Sequence, residues 1–322
     1  MNATRRGLLS WLPLFASGCA ERFAPPQPLT QAPDPDGEIT MDDGAALPYR
    51  SWLPQHPTAA MLALHGFTDS RDFFEYPAPS FTAAGIAIYA PDQRGFGAAP
   101  RRGYWAGTDR MVADAIACFA FVRQTHPGLP IYLVGESMGG AVAVLAQPSC
   151  RPDATGLLAP AAWPRSKMGP LYQGGLWVAR HILPSYVATG RDVPHPVWAS
   201  DNIEALERLG DDPLTLVEVR LDVMAGLAAL MDKAAAQAVG LETPCLWLYG
   251  AHDQVIPRRA TLEDWRQTRG VRQAYYQHGY HLLLRDHARA IPTADLVRFL
   301  TDPTAPLISS AEIAAAAWRA ES

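Results

Sequence analysis

The chain has 322 residues, 48% of them hydrophobic and 18% charged, so it can bury a substantial core, and disordered or collagen-like chains are excluded. Its formal net charge is -5, with 27 Lys and Arg against 32 Asp and Glu. That balance offers no basic surface for a phosphate backbone, and nucleic acid is not expected as a partner.

In chain order, Arg5 and Arg6 precede a short apolar run from Leu8 to Ala16, which Ser17-Gly18-Cys19 closes. Residues 1–19 therefore have a signal-peptide layout, far short of the ~20 apolar residues that span a bilayer. Thr4-Arg5-Arg6-Gly7-Leu8-Leu9 resembles a twin-arginine export signal. Ala16-Ser17-Gly18-Cys19 resembles a bacterial lipobox, with Ala16 where Leu is usual. The expectation is export from a bacterial cytoplasm to the periplasm, with Cys19 lipidated as a membrane tether. Residues 20–37 contain Pro25, Pro26, Pro28, Pro33 and Pro35, which suits an extended tether.

Ile39 to Met41 and Leu47 to Trp52, separated by Asp42-Asp43-Gly44, predict an antiparallel hairpin at a sheet edge. Short continuous apolar runs follow at Ala60 to Leu64, Ile86 to Ala90, Ile131 to Val134, Thr155 to Leu158 and Cys245 to Tyr249, with a last strand at Gln273 to Gln277. Runs of this kind are strands buried on both faces, as in a parallel sheet. Met111, Ala115, Cys118, Phe119 and Val122 recur at helical spacing, as do Ile291, Leu296 and Leu300. The alternation predicts an α/β core over residues 38–160 and 241–302. Residues 161–240 break it with prolines and aromatics and read as an insertion, and 303–322 as a tail carrying a surface helix. Cys118 and Cys245 lie in apolar runs and read as core residues, and no CxxC pair is present.

Gly135-Glu136-Ser137-Met138-Gly139 follows one strand directly and opens into an apolar helical run. Strand, tight turn and helix make a nucleophile elbow, with the Ser137 hydroxyl projecting from the carboxyl edge of the sheet. A serine hydroxyl needs a histidine to take its proton and a carboxylate to orient that histidine. With the chain order Ser, acid, His, Asp253 follows a buried strand and is the expected acid. Asp264 is the alternative, in a helical pattern that points it to solvent. Of His278, His281 and His287, His281 is the expected base, because Gly279 ends the last strand and lets the loop turn back. His278 reads as still in the strand, and His287 as in the helix beyond. Oxyanion donors are expected from the backbone N–H of Met138, and from that of Phe67 in the loop after the third strand, each worth roughly 3 kcal/mol of barrier. His65 reads as a prop for this loop.

Together, His65-Gly66, Pro91-Asp92-Gln93-Arg94-Gly95-Phe96-Gly97, Gly135-Glu136-Ser137-Met138-Gly139-Gly140, Gly250-Ala251-His252-Asp253-Gln254-Val255-Ile256-Pro257 and Gly279-Tyr280-His281 resemble the α/β-hydrolase superfamily, in its monoacylglycerol lipase and lysophospholipase branch. The resemblance covers roughly residues 38 to 301. It implies an α/β-hydrolase fold with a mostly parallel sheet and a cap over 161–240, with Ser137 as nucleophile, Asp253 as acid and His281 as base. Gln93 stands where the family commonly has His, and Ala98-Ala99 where a Ser often follows. Asp92 and Arg94 are expected to form a structural ion pair. Trp163, Leu171, Tyr172, Leu176, Trp177, Ile182 and Leu183 are expected mostly to pack the cap on the core, the alternative being an acyl-chain channel.

The function this implies is cleavage of carboxylic esters, monoacylglycerol or lysophospholipid-like, through an acyl-enzyme on Ser137. The same triad would also serve an amidase, peptidase or acyltransferase, and the competing class is a non-catalytic exported binding protein. No cofactor and no metal is implied, since no HExxH or third ligand accompanies His278 and His281.

Overall fold

A computed structural model describes Leu29 and residues 31–189, 197–241 and 244–321. The expected export segment with Cys19, and most of the proline-rich tether, lie outside the described residues.

The hairpin forms from β1 (Gly37–Thr40) and β2 (Ala46–Trp52), with Ile39 opposite Leu47. β3 (Ala59–Leu64), β4 (Ile86–Pro91), β5 (Ile131–Glu136) and β6 (Ala154–Leu158) follow. The chain then leaves the sheet, building a small antiparallel pair from β7 (Val187–Thr189) and β8 (Glu218–Arg220), and returns with β9 (Cys245–Gly250) and β10 (Val271–Tyr276). The strand order is β1-β2-β4-β3-β5-β6-β9-β10. Pairing is parallel throughout except at β1–β2 and β2–β4.

Alternate side chains of a strand enter opposite layers. Leu62 and Leu64 of β3 enter one core, Met61 and Ala63 the other, and all four are fully buried. The strand therefore reads as one unbroken apolar run. α1 (Ala78–Ala83) covers the Met61 side, contributing Phe81. α2 (Thr108–Thr125) and α3 (Met138–Cys150) cover the Leu62 side through Met111, Cys118, Phe119 and Val142. Cys118, Cys150 and Cys245 are buried free thiols.

Between β6 and β9 lie α4 (Pro170–His181), α5 (Ile203–Asp211) and α6 (Leu221–Ala238), the last packed on α3. Trp163 and Leu176 pack against the core, as expected for apolar residues of this segment. Leu171, Trp177 and Ile182 do not: they are 87%, 57% and 59% exposed. Among the described side chains of α4 only Leu176 is partly buried, and Ile182 lies just past the end of the helix. The Tyr172 side chain is outside the described ones.

The core closes with α7 (Arg258–Gln267), α8 (Ala290–Thr301) and α9 (Ala311–Ala320). The expected tail helix forms as α9, and one face of it is packed on the core through Ala311, Ala315 and Trp318. Trp318 is buried, its ring 4.4 Å from Tyr275 and 5.5 Å from Tyr249, both stacked. The helix seals edge strand β10, whose unpaired edge would otherwise invite intermolecular pairing. Among the described residues no helix is long and apolar enough to cross a membrane.

Candidate active site

Ser137 occupies the sharp turn between β5 and α3 with φ 52° and ψ -114°, a left-handed conformation that costs a non-glycine residue energy. The backbone around it is pinned. Its N–H donates to the Leu158 carbonyl at 2.9 Å, and its own carbonyl accepts from Ala141 and Ala161. The flanking glycines are required by contact: a Cβ on Gly139 would strike the Leu64 carbonyl, and one on Gly135 the Gly139 carbonyl. The turn can stay tight only with hydrogen at those positions.

Asp253 follows β9 and His281 follows β10, at the same carboxyl edge of the sheet as Ser137. His281 Nδ1 lies 2.8 Å from Asp253 Oδ2. The other carboxylate oxygen accepts from the N–H groups of Val255 and Ile256, both at 2.8 Å, so the acid is fixed on three sides. An ionised carboxylate can only accept, so Nδ1 carries the proton and Nε2 of neutral His281 is left as the basic nitrogen. Burial disfavours the imidazolium, yet the Asp253 charge and hydrogen bond, with Glu136 and Asp286, hold the His281 pKa above its ordinary value. The structure thus brings together the two residues expected as acid and base. Among the described residues, Ser137 Oγ makes no hydrogen bond to Nε2, a contact that often tightens only once substrate is bound.

The loop after β3 runs directly beside the elbow: a Cβ on Gly66 would lie 3.4 Å from Ser137 Cβ. Phe67 is half-buried and Met138 fully buried. Among the described residues neither backbone N–H donates to a protein acceptor, which leaves both free for a ligand oxygen. His65 props the loop as expected. Its Nε2 accepts from Gln93 N at 2.9 Å and Nδ1 faces the Gly66 carbonyl at 2.8 Å, a pattern that only the neutral Nδ1–H tautomer satisfies, and burial lowers its pKa accordingly. Gln93 Nε2 donates back to the His65 carbonyl at 2.7 Å, so the residue departing from the family pattern ties the loop from both ends.

Several expectations are corrected. Asp92 does not pair with Arg94: it pairs with buried Arg71, while Arg94 binds Asp114 and Asp43. Neighbours in sequence point to opposite sides of the loop. Asp264 does not face solvent freely, being held by Lys167 at 2.8 Å. His278 lies beyond the end of β10, and His287 precedes α8, both exposed; neither enters the site.

The sequence reading missed a buried polar layer beside these residues. Arg285 donates to Asp69 at 2.6 Å, and Asp286 accepts from Ser200 Oγ at 2.6 Å and Tyr280 N at 2.7 Å. Desolvation raises the Asp286 pKa to about 6 and that of Glu136, beside the nucleophile, to about 7. The only prior signal was a run of charges, Arg285-Asp286, after an apolar loop, which by itself reads as surface.

The comparisons with known proteins agree with this architecture. Residues 55–288 match the family model described as serine aminopeptidase, S33. A monoacylglycerol lipase of Mycolicibacterium smegmatis is 24% identical over 275 residues, covering 80% of this chain and 93% of that protein. Among solved structures, a soluble variant of the Saccharomyces cerevisiae monoglyceride lipase superposes with a TM-score of 0.69 at 16% identity, covering 88% of this chain and all of that one. The Paleococcus ferrophilus monoacylglycerol lipase gives 0.66 at 18% identity, covering 79% and 98%. The chain has the α/β-hydrolase fold and belongs to the serine aminopeptidase S33 family, in the branch that includes monoacylglycerol lipases.

Proposed function

We propose that this protein hydrolyses carboxylic esters of monoacyl lipids, with Ser137 as nucleophile, His281 as base and Asp253 as its orienting acid. The observation that carries the reading is the 2.8 Å bond from His281 Nδ1 to Asp253, at the same sheet edge as the strained Ser137 and two unengaged N–H groups. In this mechanism Nε2 takes the Ser137 proton as Oγ attacks the ester carbonyl. The oxyanion is received by the N–H groups of Phe67 and Met138, the proton passes to the departing alcohol, and water then cleaves the acyl-enzyme with His281 again as base. The relatives named monoacylglycerol lipase support the substrate class. We place the protein outside the cytoplasm, tethered through Cys19, on the export and lipobox-like residues.

A panel of p-nitrophenyl esters from short to long chains, run beside monoacylglycerol, lysophospholipid and aminoacyl amides, tests this. Turnover of medium or long acyl esters is expected; a strict preference for acetate, or for the amides, would refute the lipid reading. Because His281 must be neutral to act and its pKa is raised, kcat/KM should climb with pH through a midpoint above 6.5.

A further inference from the structure

One buried carboxyl takes no part in that proton route. Glu136 is 1% exposed, and among the described residues its buried Oε1 has no hydrogen-bond partner. It lies beneath the oxyanion loop: the point a Gly66 Cβ would occupy is 3.6 Å from Glu136 Oε1 and 3.4 Å from Ser137 Cβ. Two loops bring charged or titratable groups toward it, Asp69 after β3, and His281, Arg285 and Asp286 after β10. Arg285 is already committed, donating to Asp69 and to the Phe73 carbonyl. Its charge is shared among Asp69, Glu136 and Glu75 and cannot neutralise all of them.

A full negative charge at this position repels an oxyanion forming against the Phe67 and Met138 N–H groups, whereas a neutral acid does not. The geometry points to Glu136 as a tuning residue that must be protonated for acylation of Ser137, so that loss of its proton to solvent weakens the oxyanion site. This rests on the hydrolase reading above. Burial is what keeps the acid neutral, raising its pKa to about 7 against the opposing pull of Arg285. Since Asp286 and His281 titrate in the same cluster, the apparent values belong to the group as a whole.

The test is the second-order rate of Ser137 labelling by an alkyl fluorophosphonate from about pH 5 to about pH 9, in the wild type, Glu136→Gln and Glu136→Leu. The wild type should rise and then fall by about tenfold on the alkaline side. Both neutral variants should rise to a plateau without the fall. Their rising limb should move to lower pH, because the Glu136 charge that favours the His281 imidazolium is gone. Thermal midpoints give a readout independent of Ser137. A carboxyl protonated more readily folded than unfolded loses stabilisation as pH rises from about 4.5 to about 7, and the Gln variant should lack that decline. A wild-type profile without an alkaline fall, an alkaline fall retained in the neutral variants, or labelling lost at every pH in both folded variants overturns the role of Glu136. A folded wild type that never labels overturns the hydrolase reading first, and this one with it.

Discussion

The carboxyl edge of the sheet and the segment that covers it are held by different means. At the edge, Ser137, Asp253 and His281 sit one to five residues beyond strands whose side chains are almost wholly buried, so their positions are set by the core. The covering segment between β6 and β9 also buries apolar side chains of α6, among them Val223, Leu230 and Met231, and adds discrete polar clips where it crosses the site. Arg102 donates to the carbonyls of Pro213, Leu214 and Thr215 and to that of Gly97, while Leu216 N donates to the Thr68 carbonyl in the loop after β3. On the other side Leu282, next to His281, donates to the Ala199 carbonyl, and Ser200 reaches Asp286. The insertion thus clasps both loops of the site. Packing sets the edge, whereas the covering segment adds a handful of hydrogen bonds over the site to its packed helix, and the two should break differently.

The sharpest break is at the edge itself: Ser137→Ala should abolish phosphonate labelling and lower kcat by about 10⁴-fold or more, with the fold intact by circular dichroism. Gly139→Ala should cost roughly 3 kcal/mol or more in urea unfolding, because its Cβ meets the Leu64 backbone, which cannot rotate away. Arg102→Ala leaves the core untouched but releases four carbonyl contacts. We expect a loss of about 2 kcal/mol, a raised KM, and faster proteolytic nicking near residues 213–216. Trp177→Ser, on the outward face of α4, should change stability by no more than about 0.5 kcal/mol. If it proves as damaging as Gly139→Ala, the two regions are held alike and the contrast fails.

Much of the edge was legible because its constraints are local. The elbow announces itself through glycines that only a tight strand-to-helix turn requires, and two-faced strands leave unbroken apolar runs. Asp253 and His281 could be chosen from sequence since each follows such a run closely. Asp92 was paired with the wrong arginine because its partner Arg71 lies 21 residues away and leaves no local spacing to read. The packed face of the tail helix escaped for a related reason: alanine-rich composition does not reveal that Trp318 stacks on Tyr275 and Tyr249.

What the sequence alone determined is therefore the order of strands along the chain, the elbow, and which serine, acid and histidine to test, since periodicity and turn chemistry act over a few residues. Tertiary structure decided which charges pair, which face of α4 is left outside, and that Glu136 lies buried under Gly66, because desolvation and ion pairing depend on neighbours that the chain supplies from far away.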